Sequence, residues 1–136
     1  MTGASFIVWK DDYLVGHDVL DMHHRRMLAI INSLYHAMAA DEAESQLASL
    51  FQGVVDYGQM HFQAEESILR KVEYPNLREH EAMHQAYVQR VGGLMRERVV
   101  TPHNLSLDVL QFLKGWWLNH ILEMDKAYAP YLGARE

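Results

Sequence analysis

Apolar residues recur at helical spacing over four long stretches of this chain. From Asp18 to about Ala39, Leu20, Met27, Leu28, Ile31, Leu34, Tyr35 and Met38 follow one another at three- and four-residue intervals, which predicts an amphipathic helix. Asp41-Glu42-Ala43-Glu44 has the form of a capping box, an acceptor followed three residues later by a glutamate. It predicts a second helix of about 28 residues that ends near Val72, before Tyr74-Pro75. Asn76-Leu77-Arg78-Glu79 repeats that signature and opens a third helix to about Val99. Thr101-Pro102-His103-Asn104 reads as a short connection, with Asn104 or Ser106 capping a fourth helix from about Leu107 to Tyr128. Pro75, Pro102 and Pro130 all fall where the helical period lapses, and they punctuate the pattern.

Residues 1–17 carry no sustained stripe and read as an N-terminal arm, which Phe6, Ile7, Trp9 and Tyr13 are large enough to dock. No segment alternates apolar and polar residues over a strand's length between hairpin turns. The expected fold is therefore all-α: an antiparallel up-down-up-down four-helix bundle with an N-terminal arm. Residues 1–136 form one domain, with the arm at 1–17, the bundle at 18–128 and a tail at 129–136.

Composition narrows the function. The 12 Lys and Arg against 18 Asp and Glu leave a formal charge of −6, which argues against nucleic acid or an anionic membrane as partner. The absence of cysteine excludes disulfides, thiolate metal sites, iron–sulfur clusters and thiol nucleophiles. No uncharged apolar run is long enough to span a bilayer, and no basic segment precedes an apolar one near Met1, so a cytoplasmic protein is expected. Against this plain background stand nine histidines.

Several of them lie on the apolar faces. His61 and Glu65 are one turn apart on the stripe that holds Val54, Tyr57, Ile68, Leu69 and Val72. A carboxylate buried there needs a cation or a proton partner. His80 and His84 repeat the spacing beside Tyr87, Val88 and Val91, and two imidazoles one turn apart can chelate one ion. Taken alone, such pairs are often surface decoration. The fourth helix brings His120 among Trp116, Trp117 and Ile121, followed by Glu123 and Asp125. Helical spacing nominates Glu123 as the companion of His120; Asp125 could face inward only if the helix widened locally, as a π-bulge does. In the first helix His24 shares the stripe of Leu20, Met27, Leu28 and Ile31, and His23 belongs to its edge. His17, His36 and His103 read as unrelated to metal.

The ordered set of motifs resembles the hemerythrins, and the single-domain bacteriohemerythrins most closely. The match runs over nearly the whole chain: Trp9, Tyr13-Leu14-Val15-Gly16, Leu20-Asp21, His24, His61-Phe62-Gln63-Ala64-Glu65-Glu66, His80-Glu81-Ala82-Met83-His84, and Trp116-Trp117-Leu118-Asn119-His120-Ile121 with Asp125. The resemblance implies two iron ions joined by an oxo or hydroxo bridge. One would take His80, His84 and His120, the other His24 and His61, with Glu65 and Asp125 bridging. It is this resemblance that prefers Asp125 to Glu123. Two six-coordinate irons then have one position left over, on the iron with two histidines, and imidazole with carboxylate suits iron and dioxygen chemistry. Met27, Leu28, Phe62, Trp116, Trp117 and Ile121 would wall the dioxygen pocket, or simply fill the core. Two departures stand out: His17 replaces an aliphatic residue, and Trp117 a leucine, so its bulkier indole is expected to alter ligand affinity and autoxidation.

The implied function is reversible dioxygen binding for storage, delivery or sensing, not enzymatic, with an oxygen-using partner protein a further expectation. Competing readings are a diiron enzyme handling peroxide or nitric oxide at the same site, and a zinc peptidase built on His80-Glu81-Ala82-Met83-His84 with Glu81 as base. The peptidase leaves His61, Glu65 and Asp125 unexplained. A ferritin-like oxidase would need Glu-x-x-His on two helices, and the chain has one, Glu81 to His84. A metal-free bundle would leave the buried ligand set without a purpose.

Overall fold

The amphipathic stretches form four long rods. In the computed structural model, which describes residues 6–40, 44–98 and 102–133, α1 spans Asp18–Ala39, α2 Glu44–Lys71, α3 Leu77–Arg98 and α4 Pro102–Asn119. A π-helical segment, His120–Asp125, continues α4 without a break into α5, Lys126–Gly133. Each helix packs on its neighbour in sequence and α4 returns to α1, closing a four-helix bundle. There is no strand among the described residues. None of the helices is long and apolar enough to cross a membrane.

The boundaries show local chemistry at work. His17 caps α1, its Nδ1 accepting from the Leu20 backbone N–H at 3.4 Å. α2 ends in a Schellman turn: the Tyr74 N–H reaches Leu69 O at 3.0 Å and the Glu73 N–H reaches Arg70 O at 3.1 Å, with Glu73 held at φ 56°. Tyr74 and Leu69 share an apolar cluster, the contact that usually accompanies this turn. The capping box at 41–44 begins in residues outside those described.

Two expectations for the last helices need correction. α4 starts at Pro102, so His103, Asn104 and Ser106 lie inside its first turns instead of in a connection and a cap. Proline fits the first helical position because that N–H would have no partner anyway. The rod also passes through Pro130 to Gly133. Pro130 removes one helical hydrogen bond, but Tyr128 and Leu132, buried on either side of it, hold α5 against Leu20 and Leu69. Packing overrides the local penalty.

The arm docks as expected. Ile7 and Tyr13 are buried, and Phe6 and Trp9 pack half-buried against the core. The Asn32 side chain clamps Ile7 twice, accepting from its N–H at 2.7 Å and donating to its carbonyl at 2.8 Å. Asp21 accepts from the N–H groups of Val15 and Gly16, and Gly16 supplies the φ of 87° that this turn requires.

The core divides into two apolar clusters. The larger contains Met27, Leu28, Ile31, Val54, Phe62, Tyr87, Leu113, Trp117 and Ile121. The smaller contains Val15, Leu20, Leu69, Tyr74, Tyr128 and Leu132. Along α1 the order is Leu20, His24, Met27; along α2 it is Phe62, Glu65, Leu69; along the last rod it is Ile121, Asp125, Tyr128. A polar layer thus lies between two greasy ones. Val88, expected on the buried face of α3, is exposed.

Candidate metal centre

That layer holds His24 from α1, His61 and Glu65 from α2, His80 and His84 from α3, and His120 and Asp125 from the π segment, all buried. The π segment brings Asp125 inward: five residues would put it about 140° from His120 on a regular helix, and the wider turn returns it to the same face. Glu123 is exposed.

The seven side chains form two groups. The Nε2 atoms of His80 and His84 lie 2.8 and 3.0 Å from Glu65 Oε1, and those of His80 and His120 both lie 3.2 Å from Asp125 Oδ1. On the other side, His24 Nε2 lies 3.0 Å from Asp125 Oδ2, and His61 Nε2 lies 3.4 Å from Glu65 Oε2. Each carboxylate turns one oxygen to each group. Ligand atoms of Glu65, His80, His84 and His120 lie within 4.8 Å of one another, and so do those of His24, His61, Glu65 and Asp125.

Electrostatics favour positive charge between them. Burial raises the pKa of Glu65, but the neighbouring His61, His24 and His80 outweigh it and hold the carboxyl well below its ordinary value. Asp125 is likewise lowered, burial and Glu65 opposing, His120, His24 and His80 prevailing. His24 and His80 rise to about 9 and about 10: burial opposes, but the adjacent Asp125 and Glu65 carboxylates outweigh it. His120, where burial dominates, falls to about 4.

A cation fits this cage. The buried Nε2 atoms of His24 and His61 and both oxygens of Asp125 have no well-aligned hydrogen-bond partner, a costly arrangement for polar atoms unless something else satisfies them. Imidazole and carboxylate donors, five to two, suit iron, and two shared carboxylates suit a pair of ions.

The apolar candidates surround the donors. Phe62 stacks on His84 at 3.9 Å between ring centroids, and Trp116, half-buried, stacks on His120 at 4.3 Å. Trp117 lies 5.9 Å from the His61 ring, and its indole N–H donates to the Tyr87 hydroxyl at 2.9 Å. Met27, Leu28 and Ile121 are buried in the same cluster. Glu81, the base of the peptidase reading, instead turns outward to Arg70, 3.2 Å away.

Four neighbours escaped sequence reasoning. Tyr128 donates to Glu65 Oε2 at 2.6 Å, and its place three residues after Asp125 was the available signal. Burial and the nearby Asp125 and Glu65 charges keep that phenol protonated. Glu66 Oε2 lies 2.7 Å from His84 Nδ1, and nothing in its spacing betrays this. The spacing of Tyr87 places it on an apolar stripe and gives no sign of its hydrogen bond to Trp117. His23 is buried with its Nδ1 3.0 Å from His61 Nδ1, and the spacing Leu20, His23, Met27 was compatible with that. His36 is exposed, as expected.

Known proteins share this architecture. A family model described as the hemerythrin HHE cation binding domain matches residues 15–132. A bacteriohemerythrin of Stenotrophomonas maltophilia is 32% identical over 130 residues, covering 96% of this chain and 84% of that protein. A hemerythrin-like protein of Naegleria gruberi is 30% identical over 124 residues, 91% of this chain and 92% of its own. The crystal structure of a wild-type hemerythrin superposes with a TM-score of 0.81 at 25% identity, covering 94% of this chain and 98% of that one. Sequence match, helical order and buried donor set agree, and the chain belongs to the hemerythrin family.

Proposed function

We propose that this protein binds dioxygen reversibly at a pair of iron ions held in the polar layer, as a store or carrier. The observation that supports this reading is the shared geometry of the carboxylates: Glu65 and Asp125 each present one oxygen to His80, His84 and His120 and the other to His24 and His61. His80, His84 and His120 would hold one ion, His24 and His61 the other. A ferrous pair there would supply the two electrons for reversible binding at the less crowded ion.

The chain's own residues set the conditions. Two buried carboxylates neutralise part of the metal charge where burial would otherwise penalise it. Tyr128 holds Glu65 in place through a hydrogen bond to Oε2, and Glu66 holds His84 through its outer ring nitrogen. Phe62 and Trp117, buried with ring centroids 6.0 and 5.9 Å from that of His61, exclude water there, which hinders proton delivery and irreversible oxidation.

The test combines metal counting with spectroscopy. Purified protein should contain two irons per chain, and anaerobically reduced protein should gain charge-transfer bands in air and lose them under vacuum. One zinc per chain, or irreversible bleaching with stoichiometric peroxide release, would overturn the reading in favour of a peptidase or a peroxide-handling enzyme.

A further inference from the structure

Two of the five imidazoles in the layer have a partner on the outer ring nitrogen. His84 Nδ1 faces Glu66, whereas His61 Nδ1 faces another imidazole, that of His23, at 3.0 Å. The outer nitrogens of His24, His80 and His120 are buried without one. The His23 ring meets His61 edge-on, centroids 5.1 Å apart, and Tyr57 edge-on at 5.8 Å. Its far side lines a surface groove of about 570 Å³ with Met22, Arg25, Arg26, Tyr57 and Met60.

We propose that His23 is a positioning residue for His61: its Nδ1 accepts the His61 Nδ1–H and thereby keeps the His61 Nε2 lone pair aimed into the metal cage. This rests on the dinuclear reading above. A neutral imidazole carries one ring proton, so two facing nitrogens bond only when one holds the proton and the other does not. Were His61 the acceptor, its proton would sit on Nε2, pointing at Glu65 3.4 Å away, and the ring would have no lone pair for a cation. With His61 as donor, Nε2 is free, and His23 carries its own proton on Nε2, away from His61. A cation in the cage selects this second arrangement.

The consequence is confined to one half of the centre. A hydrogen-bond acceptor behind a ligating imidazole fixes its tautomer and rotation and raises its basicity. His84 receives this from a carboxylate, which can only accept; His61 receives it from a ring that can adopt either tautomer. The ion on the His24 and His61 side therefore depends on His23, and the ion on the three-histidine side does not.

Zinc(II), divalent and diamagnetic, is a suitable probe of the metal-stripped protein. Two zinc ions per chain are expected for the unaltered protein, with nitrogen-15 spectra placing a hydrogen-bonded proton on His61 Nδ1. His23→Ala should weaken one of the two ions by about 10–100-fold and leave the other unchanged. His23→Gln, whose amide oxygen can accept the same bond, should recover most of the loss. Unchanged affinity for both ions in His23→Ala, or equal weakening of both, would overturn the proposal, as would a bare His61 Nδ1 in the zinc-loaded protein. The spectra and the glutamine variant decide the matter even if the alanine variant fails to fold. Fewer than two zinc ions in the unaltered protein would instead remove the dinuclear reading itself.

Discussion

Tyr128 donates its phenolic hydrogen to Glu65 Oε2 at 2.6 Å from the far side of the polar layer. The bond joins the last rod to α2 and fixes the carboxylate whose two oxygens face the two halves of the centre. Tyr128→Phe keeps the ring in its apolar cluster and removes this one contact. Hydrogen bonds to charged groups contribute about 1.5–3 kcal/mol, so the denaturation midpoint of the variant should fall by that equivalent. Iron content should fall with it, because Glu65 gains freedom to turn. A variant of unchanged stability and full iron content would show that Glu65 is held by its other partners alone.

The π segment makes a second prediction. Asp125 faces inward only because the helix widens between His120 and Asp125, while Glu123 points to solvent. Asp125→Asn removes a charge that both halves of the centre share and should bring iron below two per chain. Glu123→Gln should leave it at two. Metal analysis of the pair distinguishes the structure from regular helical spacing, which would assign the roles the other way round.

Much of this was legible in the chain. The register Leu20, His24, Met27 places a histidine between two apolar residues on one face, and the same logic found His61, Glu65, His80 and His84. Asp125 was different: helical geometry favours Glu123, and only family resemblance or a widened turn selects the aspartate. Glu66 and His23 escaped because their partners lie on other helices, and no periodicity reports which outer nitrogen a neighbour will meet. The ends of the last rod depart from the local pattern for a related reason. Pro102 and Pro130 read locally as breaks, yet one occupies a first turn and the other is held by the burial of Tyr128 and Leu132.

The buried charges predict how the metal-free protein responds to pH. His24 and His80 sit near 9 and 10 in the fold against 6.5 in an ordinary setting, burial opposing and Asp125 and Glu65 prevailing. Raised histidine values mean that the protonated rings stabilise the fold fully below 6.5, and that this contribution drains away as pH rises through 9 to 10. Metal-free protein should therefore lose stability across that interval in denaturant titrations. Iron-loaded protein should not show this loss, because ligation already requires neutral rings. A flat profile for the metal-free form would mean the rings are not paired with the carboxylates in solution.

Trp117 is where this chain departs from the expected leucine, and the groups around it accommodate the indole. Its indole N–H bonds Tyr87, and Gly58 on α2 lies alongside, where an added Cβ would stand 3.5 Å from the indole and 3.6 Å from Met27. Trp117→Leu leaves the Tyr87 hydroxyl without its donor and opens space beside His61. A loss of roughly 1–3 kcal/mol is expected from the cavity and the missing bond. Water then reaches the centre more readily, so the oxygenated colour should fade faster in air. Gly58→Ala acts in the opposite direction. Its methyl group fits at ordinary contact distance and removes the conformational cost of a glycine inside a helix, about 0.5–1 kcal/mol, so the variant should gain stability and keep its colour at least as long. Fading followed by absorbance, with thermal midpoints measured on the same samples, separates the two effects. If both variants fade at the parent rate, the indole is packing for the core and does not guard the site.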